Sequence, residues 1–258
     1  MDSSMVVDPG GSESPSRSQP HRPQRRLTSR DVEILAWMGR WRAVTARQVA
    51  REFNKRDGNR RLEIYERRMR ALHELGLVDH ARMLADYPRV HWLTREGLRA
   101  VELTGSTGAP KIAELEHDLS VIDLAHHLAE IQPPHTIMTE QEIRRTEPNP
   151  AAGPESRLRS DIEMGAGRGT GGRAFPDLAS LVDGSDVWVH ELERSRKSRP
   201  RLTRIMLSYA YAPHIAGVVY WAYPHILAGV QAAADDANIR AERAGREPRI
   251  VVRPWERP

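Results

Sequence analysis

The sequence predicts a mixed α/β chain of the α+β kind, built as two successive units. Three observations carry this expectation. Apolar residues at three- and four-residue spacing alternate with short strand-like runs, "TGSTGAP" (Thr104–Pro110) has linker composition, and the order of elements differs on its two sides. The chain has 258 residues, enough for two modest cores.

Residues 1–26 are rich in Ser, Pro, Gly and Arg without apolar periodicity, and read as a disordered basic arm. From Thr28 the pattern changes. "LTSRDVEILAWMGRW" opens on a Ser or Thr cap and carries Val32, Leu35, Ala36 and Met38 near helical spacing. A second short helix, "TARQVAREF", begins at Thr45. A third begins near Asn59, with Leu62, Tyr65, Met69 and Leu72 forming one apolar stripe. Gly76 ends it. Two strand-like segments, Leu77–Arg82 and Val90–Leu93, flank a turn containing Pro88, and Thr94 caps a further helix running to about Leu103.

Beyond the linker the pattern predicts a helix over Lys111–Ile131, a strand over Thr136–Arg145 and a long polar excursion through "EPNPAAGPES" and "GAGRGTGG". A hairpin over Phe175–Ser198 follows, then a helix from Arg199 to about Ala212, the strand "IAGVVYWAY", a helix from Pro224 and a last strand "RIVVRPW". A central sheet flanked by helices is expected.

Charge is uneven. The net value is +4, but Arg17–Arg70 holds 16 Lys or Arg against 6 Asp or Glu, which makes the N-terminal region a basic patch. The chain has no cysteine, which excludes disulfides, thiolate zinc sites and cysteine nucleophiles. Any metal would then be a hard one on oxygen ligands, Mg²⁺ or Mn²⁺. No run of about eighteen apolar residues and no secretory leader is visible, so the expected compartment is the cytoplasm, without a membrane partner. Nucleophile-elbow, Walker and dinucleotide patterns are absent.

Carboxylates mark the second unit. In "FPDLASLVDGSDVWVHELERSRKS", Glu191 and Glu193 share a strand face with Val187 and Val189. Whether Asp177 joins them depends on register. A two-residue loop at Gly184 and Ser185 pairs it with Leu192 and turns it away; a three-residue loop, Gly184–Asp186, brings all three acids to one side. His190 reads as a satisfied, partly buried side chain; His117 and His126, nine residues apart, are out of phase, and the adjacent His126 and His127 diverge, so none is expected as a zinc ligand.

Three helices, a hairpin and a closing helix, with "HELGLV" and "YPRVHWLTREGL" in that order, resemble winged helix-turn-helix proteins. The resemblance covers residues 27–103 and implies double-stranded DNA as partner. The third helix would enter a major groove, with Arg60 and Arg61 at base edges and Arg67, Arg68, Arg82 and Arg89 on phosphates. Arg25 and Arg26 of the arm would follow the backbone or a minor groove.

Residues 111–258 resemble the PD-(D/E)xK nuclease superfamily, whose α-β-β-β-α-β core carries Pro-Asp on one strand and acid-x-Lys on the next. Pro176, Asp177 and Glu191 match, whereas Glu193 stands in the lysine's place. The resemblance implies Mg²⁺ or Mn²⁺ on Asp177 and Glu191, with Glu193 and Lys197 assisting if the centre is active, and an acid from Glu114, Glu116 or Asp118. With "HDLSVIDLAHHL" and "ELERSRKS", the whole also resembles the replication-relaxation family of plasmids and mobile elements. The expected function is duplex binding in replication, transfer or its regulation, with a degenerate nuclease-like unit and homodimerisation as one mode of assembly. The alternatives are a Mg²⁺-dependent endonuclease or nickase and a winged-helix transcriptional regulator. A relaxase-type nucleophile among Tyr209, Tyr211 and Tyr220 is not expected, since all lie in apolar periodic segments.

Overall fold

The computed structural model describes residues 26–57, 61–85, 87–105, 107–131, 136–145, 175–182, 186–212, 215–247 and 249–256. Most of the basic arm with Arg25, the segment 58–60 with Arg60, and the polar excursion after Arg145 lie outside these residues.

The fold is mixed α/β with two sheets. The first elements are α1 (Ser29–Met38), β1 (Val44–Thr45), α2 (Ala46–Asp57), α3 (Leu62–Glu74), β2 (Val78–Ala81), β3 (Val90–Leu93) and α4 (Arg95–Ala100). Thr28 and Asp31 form a reciprocal capping box at the start of α1. Thr94 Oγ1 accepts from the Gly97 amide and so caps α4. Gly76, at φ +73°, takes the left-handed conformation that turns the chain from α3 into β2. The three strands form an antiparallel sheet in the order β1-β3-β2.

The second set is α5 (Ile112–Ile131), β4 (Thr136–Thr139), α6 (Glu140–Arg145), β5 (Leu178–Val182), β6 (Asp186–Glu193), α7 (Arg199–Tyr211), β7 (Ile215–Ala222), α8 (Leu227–Arg243) and β8 (Ile250–Pro254). Its sheet runs β4-β5-β6-β7-β8, antiparallel up to β6 and parallel from β6 to β8. Helices α7 and α8 cover one face with Met206, Tyr209, Ala233 and Ala237, and α5 meets the other at Leu178, Leu192 and Trp221.

Several expectations need correction. The strand expected over Thr136–Arg145 stops at Thr139, because Thr139 Oγ1 and the Glu142 carboxylate cap each other's backbone and start a helix. The third helix starts at Leu62, not near Asn59, and the closing helix ends at Ala100. The short strand Val44–Thr45 was not expected.

Helix α5 belongs to two cores. Leu115, Leu119 and Ile122 are fully buried against α1, α2 and the small sheet, while Val121, Leu124, Ala125 and Leu128 pack on the large one. Polar contacts fix the seam. Gln48 Nε2 donates to the Leu119 carbonyl at 2.8 Å and to Asp123 Oδ1 at 2.9 Å. Arg40 reaches the Ile137 carbonyl at 2.6 Å and Glu142 at 2.9 Å.

Leu119→Ala should therefore cost about 2–5 kcal/mol. Because α5 is common to both cores, thermal unfolding should remain one transition by calorimetry, with the two sheets lost together.

Candidate nucleic-acid interface and carboxylate cluster

A groove of about 900 Å³ lies between the start of α2, one side of α3 and the hairpin β2–β3. Arg47, Arg51, Arg70, Arg82, Arg89, His80 and His91 border it, with Glu66 and Asp123 as its acids. Arg51 is bound to Glu130 at 3.1 Å. Arg47, Arg70, Arg82 and Arg89 are exposed, as are Arg61 and Arg67, and none of the six is in an ion pair among the described residues. His91 is pushed down to about 4, by burial first and then by the charges of His80, Arg89 and His73, so it lines the groove as a neutral ring.

Arg68 is not available to phosphate. Its guanidinium is bonded to Thr28 Oγ1 at 2.5 Å and to the buried Asp31 carboxylate, and so ties α3 to the cap of α1. The outer surface of α3 carries Glu63, Glu66 and Glu74 beside Arg67 and Arg70, and is less basic than the arginine count suggests. Arg26 is exposed. Arg47 and Arg70 join the groove without having been singled out in the sequence, because their place depends on how α2 and α3 meet the hairpin.

In the larger sheet, Val182 pairs with Asp186 and Leu178 with His190. This is neither of the two registers weighed from the sequence; the connection is 183–185. Asp177 falls opposite Glu191, on the side of both glutamates. The acids converge, but each has a partner. Asp177 Oδ1 meets His117 Nε2 at 2.9 Å and Oδ2 accepts the Leu192 amide at 2.8 Å. The Tyr209 hydroxyl donates to Glu191 Oε1, and Lys197 Nζ binds Glu193 Oε1 at 2.5 Å.

The electrostatics follow from this arrangement. Glu191 is part-exposed as a residue, but burial of its carboxyl, reinforced by Asp177, pushes it well above the usual carboxylate range. Burial also raises Glu193, against the opposing Lys197. Burial alone would lower His117, but the charge and hydrogen bond of Asp177 outweigh it and raise the imidazole. Asp177 and Glu193 thus face His117 and Lys197, and the Tyr209 hydroxyl faces Glu191.

A divalent metal of the nuclease type does not fit this arrangement. Among the described residues no group of three or more His, Asp or Glu side chains can hold one. Asp177 and Glu191, the expected ligands, are bonded to His117, Leu192 and Tyr209. Lys197, expected to assist an active centre, is bound to Glu193. The first helix supplies His117 in place of an acid: Glu114 pairs with Arg42 at 2.7 Å, Glu116 pairs with Arg194, and Asp118 stands beside His117, pushed up to about 6 by burial. No metal-assisted step follows from this geometry. His117 lies 60 residues from Asp177, and no local pattern announces it. Tyr209 and Tyr220 are buried, and burial, with Glu191 next, holds both phenols well above their ordinary range, so neither is an activated nucleophile.

Asp177→Ala leaves the Leu192 amide and His117 without their acceptor and should cost about 2–4 kcal/mol in urea denaturation. The pH dependence has a definite sign. His117 and Glu191 both have folded-state values raised above their unfolded ones, so the folded state holds the extra protons and stability falls as pH rises above their unfolded values. Glu191→Gln, the isostere of the neutral acid, should flatten that decline above about pH 5. Mg²⁺ should leave the melting temperature of the wild type unchanged.

No family model, curated protein or solved structure matches the chain.

Proposed function

We propose that the chain is a double-stranded-DNA-binding protein that grips duplex phosphates in the groove between α2, α3 and the β2–β3 hairpin. One observation carries this reading: Arg47, Arg70, Arg82 and Arg89 border the groove exposed and without an ion pair among the described residues, with Arg61, at the start of α3, and Arg67, on it, also exposed, while Arg40, Arg42, Arg51 and Arg68 are bound to acids or carbonyls. Unpaired guanidiniums gain most from releasing the counterions of a polyanion. The order α1-β1-α2-α3-β2-β3-α4, with a three-stranded antiparallel sheet, supports a winged helix-turn-helix, in which α3 faces the major groove and the hairpin the neighbouring backbone.

The second unit, with α5-β4-β5-β6-α7-β7 on a mixed sheet, supports a PD-(D/E)xK-like scaffold whose carboxylate cluster holds the fold together instead of a metal. The resemblance to the replication-relaxation family would place such binding on a plasmid or mobile element, in replication, transfer or its control. No helix among the described residues is long and apolar enough to cross a membrane.

Binding of the full chain to duplex DNA should weaken with salt, with a log–log slope of about −4 to −5 for the groove. Arg82→Ala with Arg89→Ala should make that slope shallower by about 2 at unchanged melting temperature. Arg68→Ala should instead lower stability by about 1–3 kcal/mol. Supercoiled DNA should remain uncut in Mg²⁺ or Mn²⁺. Metal-dependent nicking lost in Asp177→Ala would restore the endonuclease reading, and salt-independent binding would sink the proposal.

A further inference from the structure

The strongest uncompensated positive charge outside the groove lies where β6 leaves the large sheet. Between Glu193 and Asp235 the sequence contains no Asp or Glu, yet Arg194, Arg196, Lys197, Arg199, Arg201 and Arg204 crowd into its first part. Two of these are accounted for: Arg194 pairs with Glu116 and Lys197 with Glu193. Arg196, Arg199, Arg201 and Arg204 are exposed, and none is in an ion pair among the described residues.

This arrangement costs the fold stability. Arg201 and Arg204 are three residues apart on the solvent side of α7, a spacing at which like charges repel. The first turn of α7 holds no acid, so its cations also meet the positive end of the helix dipole. Nothing in the described structure offsets either term. A polyanion would offset both.

We infer that these four arginines form a second duplex-contact surface, which binds phosphates of the same DNA that the α2–α3–hairpin groove holds. This rests on the reading of that groove as a duplex site. Position supports it. Asp123 of α5 borders the groove, and His117, six residues earlier on the same helix, borders a cleft of about 520 Å³ shared with Arg194, Ser195 and Lys197. Six residues of helix span about 9 Å along the axis. A turn of duplex is about 34 Å long, so on this reading a duplex of two to three turns is long enough to extend beyond the groove. The contacts are arginine to phosphate and carry no sequence information; they lengthen the site and strengthen its salt dependence.

The test measures binding of the full chain to duplexes of about 12 and about 30 bp from about 50 to 200 mM salt. It compares wild type, a variant with Arg196, Arg199, Arg201 and Arg204 all changed to Ala, the same four changed to Lys, and Arg243→Ala with Arg246→Ala as a control that removes half as much charge elsewhere. On the longer duplex the alanine variant should lose up to about 3.6 from the salt slope, at about 0.9 per phosphate contact. The lysine variant and the control should keep it, and the shorter duplex should show no difference.

Equal slopes for wild type and the alanine variant on the longer duplex would overturn this surface while leaving the groove reading intact. A loss in the control of about half that size, or a matching loss on the shorter duplex, would reduce it to a net-charge effect and overturn it too. Capture by anionic vesicles that depends on the four arginines, with an unchanged duplex slope, would assign the patch to a membrane surface instead. No duplex binding by the wild type at any salt would overturn both readings.

Discussion

Everything else in the molecule is positioned by α5, a helix that is buried on opposite sides. Leu115, Leu119 and Ile122 complete the core of the N-terminal elements, and Val121, Leu124, Ala125 and Leu128 cover the large sheet. A helix that is apolar all round is stable in water only when both sides are covered. Neither set of elements can leave without exposing a row of leucines, so the groove and the carboxylate cluster are held in fixed relation. Polar contacts then set the register of the seam. Gln48 satisfies Thr45, Leu119 and Asp123 at once, and a slip of one residue along α5 would strand a buried amide.

The carboxylate cluster shows how a sheet can retain the acids of a catalytic arrangement without the chemistry. Three carboxyls meeting at a strand end repel, and in a metal site the cation pays for their company. Here His117, the Leu192 amide, Tyr209 and Lys197 each meet one carboxylate oxygen, and burial pushes Glu191 well above the usual carboxylate range. The result is a network in which removing any one member leaves another buried group unsatisfied, which favours a structural over an exchangeable role.

How much of this the sequence discloses depends on the range of the interaction concerned. The capping box of Thr28 and Asp31, the left-handed Gly76 and the alternation of Val187, Val189, Glu191 and Glu193 are local, and could be read directly. The Asp177–Glu191 register was not readable, because one residue of loop length inverts a strand's faces and residues 183–185 fit several turns equally well. His117 was set aside for its phase relative to other histidines, whereas its partner is an aspartate on a distant strand. Arg68 was assigned to phosphate because a sequence shows charge but not pairing; its acid lies 37 residues upstream.

Pairing, then, is the variable that separates arginines with a structural task from those left for the proposed duplex contacts. Arg40, Arg42, Arg51 and Arg68 each bridge elements far apart in the chain, and their charge is spent inside the fold. The exposed arginines of α2, α3 and the β2–β3 hairpin, and those that open α7, have no such use, and at α7 they work against the helix that carries them. Exposed charge is ordinarily neutral for stability, because lysines and glutamates intersperse and screen one another. Cations without an ion pair gathered on two surfaces, while other arginines are engaged in seam and cluster, make a positive field that the proposed duplex would balance. The distribution of glutamates and aspartates therefore bears on function as much as the arginines do: by engaging some cations, they define which remain.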